Sequence, residues 1–411
     1  LVFLSQTTTE IVYFLKTNKG KFMNKTPNSL RFTIGIFGST NAGKSTLLNA
    51  LVGESVSITS SVKGTTTDSV KKAYELEGVG AVLFIDTAGL DDESELGKER
   101  VKKAVTEIDR VDLAIVVLKN EALNEQETTL VKKLKEKQIE TLFVINKFDE
   151  SLVNLSLENS VSLNLLKDSV DEIYTHIKKI FDKKSEKREI FDGVLGENEL
   201  VVLITPIDEA APKGRMILPQ TQALRDILDK KSHAFVSQNT NIDELLANFS
   251  KKPNLIVADS QYIQEVVKTS PKELKITTFS ILMARLKGDL KGLVDGANML
   301  DRLKENDKIL IAEACSHRYV EGDIARTKIP KLLEKYLGFK PNLTYTCGKE
   351  FGDIDEFSLI IHCGGCMLNR KTMLNRQQTA KNKNIAITNY GVLISKTQGV
   401  LDRVIEIFDE L

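Results

Sequence analysis

The sequence predicts an α/β protein in which a P-loop nucleotide-binding domain is followed by further α/β domains. At 411 residues the chain is too long for one compact core. Apolar, β-prone runs alternate with amphipathic helix patterns, which is typical of parallel sheets covered by helices. The first of these runs leads directly into a glycine-rich loop and then a helix pattern.

Composition limits the classes of partner. Lys+Arg and Asp+Glu both count 57, so no broad positive field for nucleic acid or an anionic membrane is expected. No apolar run reaches the roughly 18 residues that a membrane span needs, and residues 1–22 lack the features of a secretory leader. We therefore expect a cytoplasmic protein with no nucleic-acid or membrane partner. Met23 is the expected start, within an N-terminal extension at residues 1–29.

The glycine-rich loop GSTNAGKS, residues 38–45, lies between the strand pattern 30–37 and the helix pattern TLLNALVG. In this context the GxxxxGKS pattern predicts a phosphate site, because its amides and the helix N-terminus can surround phosphates. Lys44 would reach the β- and γ-phosphates and Ser45 would bind Mg²⁺. The predicted nucleotide-binding residues of this segment are Gly38, Asn41, Ala42, Gly43, Lys44, Ser45 and Thr46.

Two later strand patterns end in further nucleotide motifs. The run 81–85 ends in DTAG, where Asp86 would hold the Mg²⁺ shell and the Gly89 amide would sense the γ-phosphate. The run 142–145 ends in NKFD, giving Asn146, Lys147 and Asp149 as base-binding candidates. The Asp149 carboxylate can accept both N1–H and the exocyclic amine of guanine, so the predicted nucleotide is GTP rather than ATP.

A polar stretch, GTTTD at residues 64–68, lies between these motifs. The four pieces in this order resemble GTPases of the Era and TrmE type. The resemblance implies that Thr66 is a second Mg²⁺ ligand and that Asn41 helps to bind K⁺. Leu90 occupies the position of the water-orienting glutamine of Ras-like proteins, so intrinsic hydrolysis should be slow. The predicted catalytic residues are Lys44, Thr66, Asp86 and Gly89, and Ser162 in the run 161–164 is the candidate fifth guanine element.

The middle of the chain predicts a small α/β unit. Residues 183–197 read as a charged linker, and strand and helix patterns alternate from Glu199 to Lys268. The segment APKGRMILPQ, residues 211–220, is either a ligand loop or a rigid connection. Because no catalytic constellation occurs here, an assembly role is expected.

Three strand patterns in the last third end on polar motifs, CSH at 315–317, HCGGC at 362–366 and NYG at 389–391. Strand carboxyl ends are where open α/β sheets build their sites, so a shared pocket is expected. The candidate ligands are Cys315, His317, His362, Cys363 and Cys366. These suit an iron–sulfur cluster, tetrahedral zinc, or a redox or structural CxxC. Cys347 is expected to be a small buried hydrophobe.

The same motifs, with PID-x-x-APKGR-x-ILPQ, TTFSIL and HCGGC-x-LNR, resemble the HydF-type maturation GTPases of [FeFe]-hydrogenases. The resemblance implies a [4Fe–4S] cluster on Cys315, Cys363 and Cys366 with a labile fourth position, and His317 and His362 as fourth-ligand or neighbouring candidates. It also implies a homodimer or higher oligomer. The protein would be a scaffold and carrier of the diiron subcluster, with two radical-SAM maturases and the apo-hydrogenase as partners.

With this resemblance the expected domains are a GTPase domain at 30–183, a dimerisation domain at 184–272 and an iron–sulfur cluster-binding domain at 273–411. The alternative is an Era- or TrmE-like GTPase acting in RNA modification or ribosome assembly with a structural zinc domain. Neutral net charge and the cysteine-bearing last third argue against that alternative.

Overall fold

The computed structural model describes residues 26, 28–53, 60–62, 70–76, 78–87, 89–90, 107–119, 123–147, 157–184, 189–205, 216–314, 324–348, 351–365 and 368–408. The chain divides into two compact units, Leu1–Glu186 and Lys187–Leu411. No helix among these described residues is long and apolar enough to cross a membrane.

The first unit is built on a seven-stranded sheet with the order β2-β3-β4-β1-β5-β6-β7. Strands β1 and β4 to β7 are parallel, whereas β2 and β3 pair in antiparallel fashion. The strands are β1 (Phe32–Gly38), β2 (Ser60–Val62), β3 (Val70–Leu76), β4 (Gly80–Asp86), β5 (Leu113–Leu118), β6 (Glu140–Asn146) and β7 (Ser160–Leu163).

Among the described residues of this unit, three α-helices accompany the sheet: α1 (Lys44–Gly53), α2 (Glu125–Glu136) and α3 (Asp171–Lys184). All six residues of β5 are buried, as expected for a central parallel strand covered on both faces. Separate apolar clusters include Ile34 and Ile36 of β1 with α1, and Phe37 with α2. The first three predicted strands of this unit are thus present. Residues 165–168 form a turn, and helix α3 begins after it at Asp171.

The second unit contains two four-stranded parallel sheets. The first has the order β11-β10-β8-β9. Its strands are β8 (Leu200–Ile204), β9 (His233–Ser237), β10 (Leu255–Ala258) and β11 (Lys275–Thr278). Its helices are α4 (Leu218–Asp229), α5 (Ile242–Leu246), α6 (Ile263–Lys268) and α7 (Phe279–Lys287).

The other sheet has the order β13-β12-β14-β15. Its strands are β12 (Lys308–Glu313), β13 (Asn342–Cys347), β14 (Leu359–His362) and β15 (Ala386–Asn389). The helices of this part are α8 (Leu290–Asn298), α9 (Ile329–Leu337), α10 (Arg370–Asn382), α11 (Tyr390–Thr397) and α12 (Leu401–Ile405). Parallel pairing places the carboxyl ends of all four strands at one edge.

The apolar core of the β8–β11 sheet also includes residues of helices α8, α11 and α12, which changes two sequence predictions. The expected boundary at residue 272 separates β11 and α7 from the sheet and core to which they belong. Val404 near the C-terminus packs in the same cluster as the β8 residues, because α12 covers part of that core. The expected linker 183–197 is also wrong in part, since Phe191 is fully buried in this cluster.

Candidate functional site

The P-loop connects β1 to α1 and closely approaches β5. Gly38 has φ +144°, and a Cβ there would collide with the carbonyl oxygen of Val117. Asn41 has φ 58°, a left-handed conformation that asparagine tolerates better than most residues, and its side chain is exposed. Ala42 is buried and Gly43 has φ +103°. Thr46 is partly buried in α1.

The residues predicted to meet phosphate and Mg²⁺ converge at this loop. Lys44 Nζ donates to the carbonyls of Gly38 at 3.0 Å and Ser39 at 2.8 Å. Ser45 Oγ donates to Asp86 Oδ2 at 3.2 Å, which places the two predicted metal-binding side chains together. Burial raises the pKa of Asp86, an effect that Ser45 and the nearby lysines Lys44 and Lys72 oppose.

The DTAG segment packs directly against the P-loop. A Cβ on Gly89 would collide with the Thr40 hydroxyl and lie 2.8 Å from the Thr40 amide nitrogen. Leu90 N donates to Gly38 O at 3.2 Å, and the Leu90 side chain is buried in the core around α2. Because that side chain is apolar and faces the core, it cannot orient a water molecule.

Asn146 bridges the P-loop to the turn after β7. Its Nδ2 donates to Ala42 O at 3.0 Å, and its Oδ1 accepts from Leu165 N at 3.2 Å. Ser162 lies inside β7, paired with Ile145, so the loop that meets Asn146 is residues 164–167. The Ser162 side chain is exposed, and Ser162 stays a prediction for the fifth guanine element. The turn that follows exposes Leu166 at 80%.

A network of side-chain hydrogen bonds beside the P-loop was not predicted from the sequence. Ser39 Oγ donates to Glu127 Oε1 at 2.6 Å and accepts from Asn124 Nδ2 at 2.8 Å. Asn124 and Glu127 also form the capping box of α2. The Asn-x-x-Glu spacing is a visible helix-start signal, but its contact with a residue 88 positions away is not.

Lys147 is the remaining described residue among the predicted nucleotide-binding positions. Lys147 is partly buried at the end of β6, where its amide bonds to Leu163 O at 2.9 Å. Thr66 and Asp149 lie outside the described residues.

In the second unit, the predicted metal motifs follow adjacent strands. In the register Ala312 is opposite His362, and His362 is opposite Asn389. Beyond those positions, Ala314 N donates to Cys363 Sγ at 3.2 Å, and Cys363 N donates to Ala312 O at 2.9 Å. The thiol of Cys363 therefore adjoins the residue that precedes Cys315.

His362 is fully buried, and the described residues engage both its ring nitrogens. Nδ1 lies 2.6 Å from Cys363 O, and Nε2 lies 2.5 Å from Arg376 Nη1. Since arginine can only donate, Nε2 accepts and Nδ1 carries the proton. Burial and then the charge of Arg376 lower the pKa of His362 to about 4. In this arrangement neither nitrogen is available to iron, which argues against His362 as a fourth ligand.

Cys347 differs from its prediction. It is exposed, not buried, at the end of β13. Its partner in the register is Glu313 of β12, so it lies at the same edge as Cys363. The reason is topological: β13 is an edge strand of the described sheet, and each of its residues is exposed or partly exposed.

Cys315, His317, Cys366 and residues 206–215, which include all of APKGR, lie outside the described residues. Within the part of the chain that the structure describes, no group of three or more His, Cys, Asp or Glu side chains could hold a metal ion. The alternatives of iron–sulfur cluster, zinc or CxxC therefore stay open at the level of geometry.

The third motif at this edge has a packing explanation. Asn389 Oδ1 accepts from Val392 N at 3.0 Å and so caps α11. A Cβ on Gly391 would lie 2.5 Å from Ser280 Oγ, and Ser280 belongs to the TTFSIL motif. These two motifs thus join α7 to α11.

Comparison with protein families assigns both units. Residues 33–147 match the family described as 50S ribosome-binding GTPase. Residues 190–288 match the hydrogen maturase F dimerization domain, and residues 291–407 match the hydrogen maturase F tetramerization domain.

Individual relatives match a smaller part. GTPase Der of Mycoplasmopsis pulmonis is 37% identical over 123 residues, which is 29% of this chain and 28% of the relative. GTPase Era of Carboxydothermus hydrogenoformans is 36% identical over 118 residues, which is 28% of this chain and 39% of the relative. The chain therefore spans less than two fifths of the length of either relative. The G domain of the T. maritima FeoB iron transporter superposes with a TM-score of 0.28 and 19% identity, covering 36% of this chain and 98% of that domain.

The two hydrogen maturase F domains together cover more than half of the residues and follow a GTPase domain, the order expected from the motifs. The chain therefore belongs to the hydrogen maturase F family, the HydF-type maturation GTPases of hydrogenases.

Proposed function

We propose that this protein is a GTP-hydrolysing scaffold that assembles the diiron subcluster of the [FeFe]-hydrogenase H-cluster and delivers it to the apo-hydrogenase. Assembly would occur on or beside a [4Fe–4S] cluster of the protein's own. The observation that carries this proposal is the 3.2 Å contact between Cys363 Sγ and the amide of Ala314, beside Cys315, in the domain matched to hydrogen maturase F. Two radical-SAM maturases are the proposed suppliers.

The proposed cluster would be held by Cys315, Cys363 and Cys366, of which the structure describes Cys363. Cys363 is partly exposed, and the amide of Ala314 already donates to its sulfur. Such donors stabilise thiolate and cluster charge. When bound, the cluster would supply iron with one exchangeable coordination position. Because His362 is engaged elsewhere, His317 is the remaining histidine candidate for that position.

The nucleotide site supports slow GTP hydrolysis. Lys44 would bind the phosphates, Ser45, Asp86 and Thr66 would hold Mg²⁺, and Gly89 would sense the γ-phosphate. The contact of Ser45 with Asp86 supports the metal assignment. Slow turnover follows from the burial of Leu90, which leaves no side chain at that position to orient water. We assign K⁺ binding to Asn41.

The dimerization and tetramerization domains support oligomer formation. Strand β9 is an edge strand of the described sheet and exposes Phe235 at 38% and Val236 at 42%. An exposed apolar edge is suited to pairing with another strand. We therefore place the homodimer contact at β9.

The first experiment tests the cluster. The protein is reconstituted anaerobically with iron and sulfide, reduced with dithionite and examined by EPR, beside Cys363→Ala and Cys347→Ala. We expect a [4Fe–4S] signal in the parent and in Cys347→Ala, and its loss in Cys363→Ala. Since Cys347 lies at the same edge, loss of the signal in both variants would add Cys347 to the ligands. Colourless protein with stoichiometric zinc would contradict the proposal and favour a structural metal domain.

The second experiment tests the GTPase. Phosphate release from GTP is followed in K⁺ and in Na⁺ for the parent and for Asn41→Ala. We expect faster release in K⁺ than in Na⁺, and loss of that difference in Asn41→Ala. Equal rates of the parent in both salts would contradict the assignment of K⁺.

A further inference from the structure

The loop between Cys363 and Cys366 contains two glycines that give it little anchorage of its own. A Cβ at Gly364 would contact nothing within 4 Å, and Gly365 has φ +61°. A segment without side chains gains no packing or side-chain hydrogen bonds, and glycine has the largest backbone freedom. Apart from the bond from Leu368 N to Gly365 O at 2.9 Å, the two glycines offer no side-chain contacts, so groups from other elements can add to the restraint of this segment.

Lys287 provides such a group. It is the last residue of α7, and only 5% of it is exposed. Its Nζ donates to Gly365 O at 2.9 Å and to Leu368 O at 3.3 Å. One ammonium group therefore binds the backbone at both Gly365 and Leu368. Burial of an ammonium group is tolerated where it is hydrogen-bonded, which makes these contacts hard to release.

Side chains of α10 in turn bind the backbone at the end of α7. Arg370, the first residue of α10, donates through Nη1 to Leu286 O at 2.7 Å and to Gly288 O at 3.3 Å. Gln377 exchanges two hydrogen bonds with the backbone of Asp289, at 2.9 and 3.0 Å. Side chains of α7 and of α10 thus both contribute hydrogen bonds between the end of α7 and the segment that follows β14.

We propose that Lys287 is a positioning residue for the described backbone that follows Cys363, at Gly365 and Leu368. It binds the carbonyl oxygens of these two residues and so connects α7 of the dimerization domain to the segment that follows β14. The part of this inference that concerns a cluster rests on the proposed function. The part that concerns the loop stands on the hydrogen bonds alone.

The test is hydrogen–deuterium exchange of the full-length apo-protein, comparing the parent with Lys287→Met. The control is Lys291→Met, which removes the same charge from an exposed position in α8. We expect exchange in the peptide 363–369 to accelerate about tenfold or more in Lys287→Met, because charge-assisted hydrogen bonds restrain its opening. The control and the peptides of β10 and β12 should match the parent.

A second readout follows iron. After anaerobic reconstitution, release of iron to a ferrous chelator should be faster in Lys287→Met by a similar factor, and unchanged in Lys291→Met. Unaltered loop exchange, or faster exchange with unaltered iron release, would overturn the positioning role. If amides throughout the second unit exchange faster in Lys287→Met than in the parent, Lys287→Gln is measured in its place and judged by the same criteria. A parent that takes up no iron would refute the cluster proposal, while loop exchange alone would still decide whether Lys287 fixes the loop.

Discussion

The buried His362 should make the second unit sensitive to acid. Its pKa falls from 6.5 to about 4 on folding, because it is buried and faces the charge of Arg376. The unfolded chain therefore binds a proton between these values while the folded chain does not. The stabilising contribution is present above pH 6.5 and is lost as the pH falls toward about 4. At about 1.4 kcal/mol per pH unit, the full loss amounts to about 3 kcal/mol.

The measurement is the free energy of unfolding of the apo-protein's second unit between pH about 7 and about 4.5, from native-state hydrogen exchange at β12 and β14 amides. His362→Gln removes the titration, and His233→Gln removes an exposed histidine of the same unit as control. The parent should lose more stability than His362→Gln over this range, and the control should follow the parent. The absolute stabilities will differ, so the difference in pH dependence is the quantity compared. Parallel profiles of parent and His362→Gln would refute the reasoning.

Three further predictions concern other described contacts. Glu127→Ala should destabilise the first unit by about 2–4 kcal/mol and weaken GTP binding, because it removes the acceptor for Ser39 and one bond of a capping box. Urea unfolding and nucleotide titration measure the two effects. Glu125 is exposed in the same helix, so Glu125→Ala should change neither result appreciably. Gly89→Ala should reduce phosphate release by about tenfold or more, since its Cβ would collide with the P-loop at Thr40; unchanged release would show that the segment moves away at no cost. Val236→Lys should shift the oligomer toward monomer in analytical ultracentrifugation, because it places a charge on the exposed edge of β9; an unchanged sedimentation coefficient would place the interface elsewhere.

The nucleotide motifs show which features of the site local sequence can predict. GSTNAGKS, DTAG and NKFD each sit at the end of an apolar strand run, and the structure places Ser45 against Asp86 and Asn146 against Ala42. Such motifs are readable because backbone geometry, strand propensity and residue type agree within a few positions. Together with the motifs PID-x-x-APKGR-x-ILPQ, TTFSIL and HCGGC-x-LNR, they indicated the family that the domain matches confirm.

Sheet edges and domain boundaries were harder to predict from the sequence. Cys347 reads as apolar within LTYTC, yet it is exposed because β13 is an edge strand of the described sheet. The boundary expected at residue 272 separates β11 and α7 from the sheet and core to which they belong. Both outcomes depend on which elements become neighbours, and no local pattern encodes that.

By itself, the sequence determined the α/β class, the GTP-type nucleotide motifs, the position of the cysteine motifs after strands and the family. The tertiary structure alone decided that Glu127 supports Ser39, that His362 is held by Arg376, and that Lys287 holds the cysteine loop. The physical reason is that each of these hydrogen bonds joins different elements of the fold. A buried polar side chain finds its partner only when the chain has packed, so its role becomes visible with the contact itself.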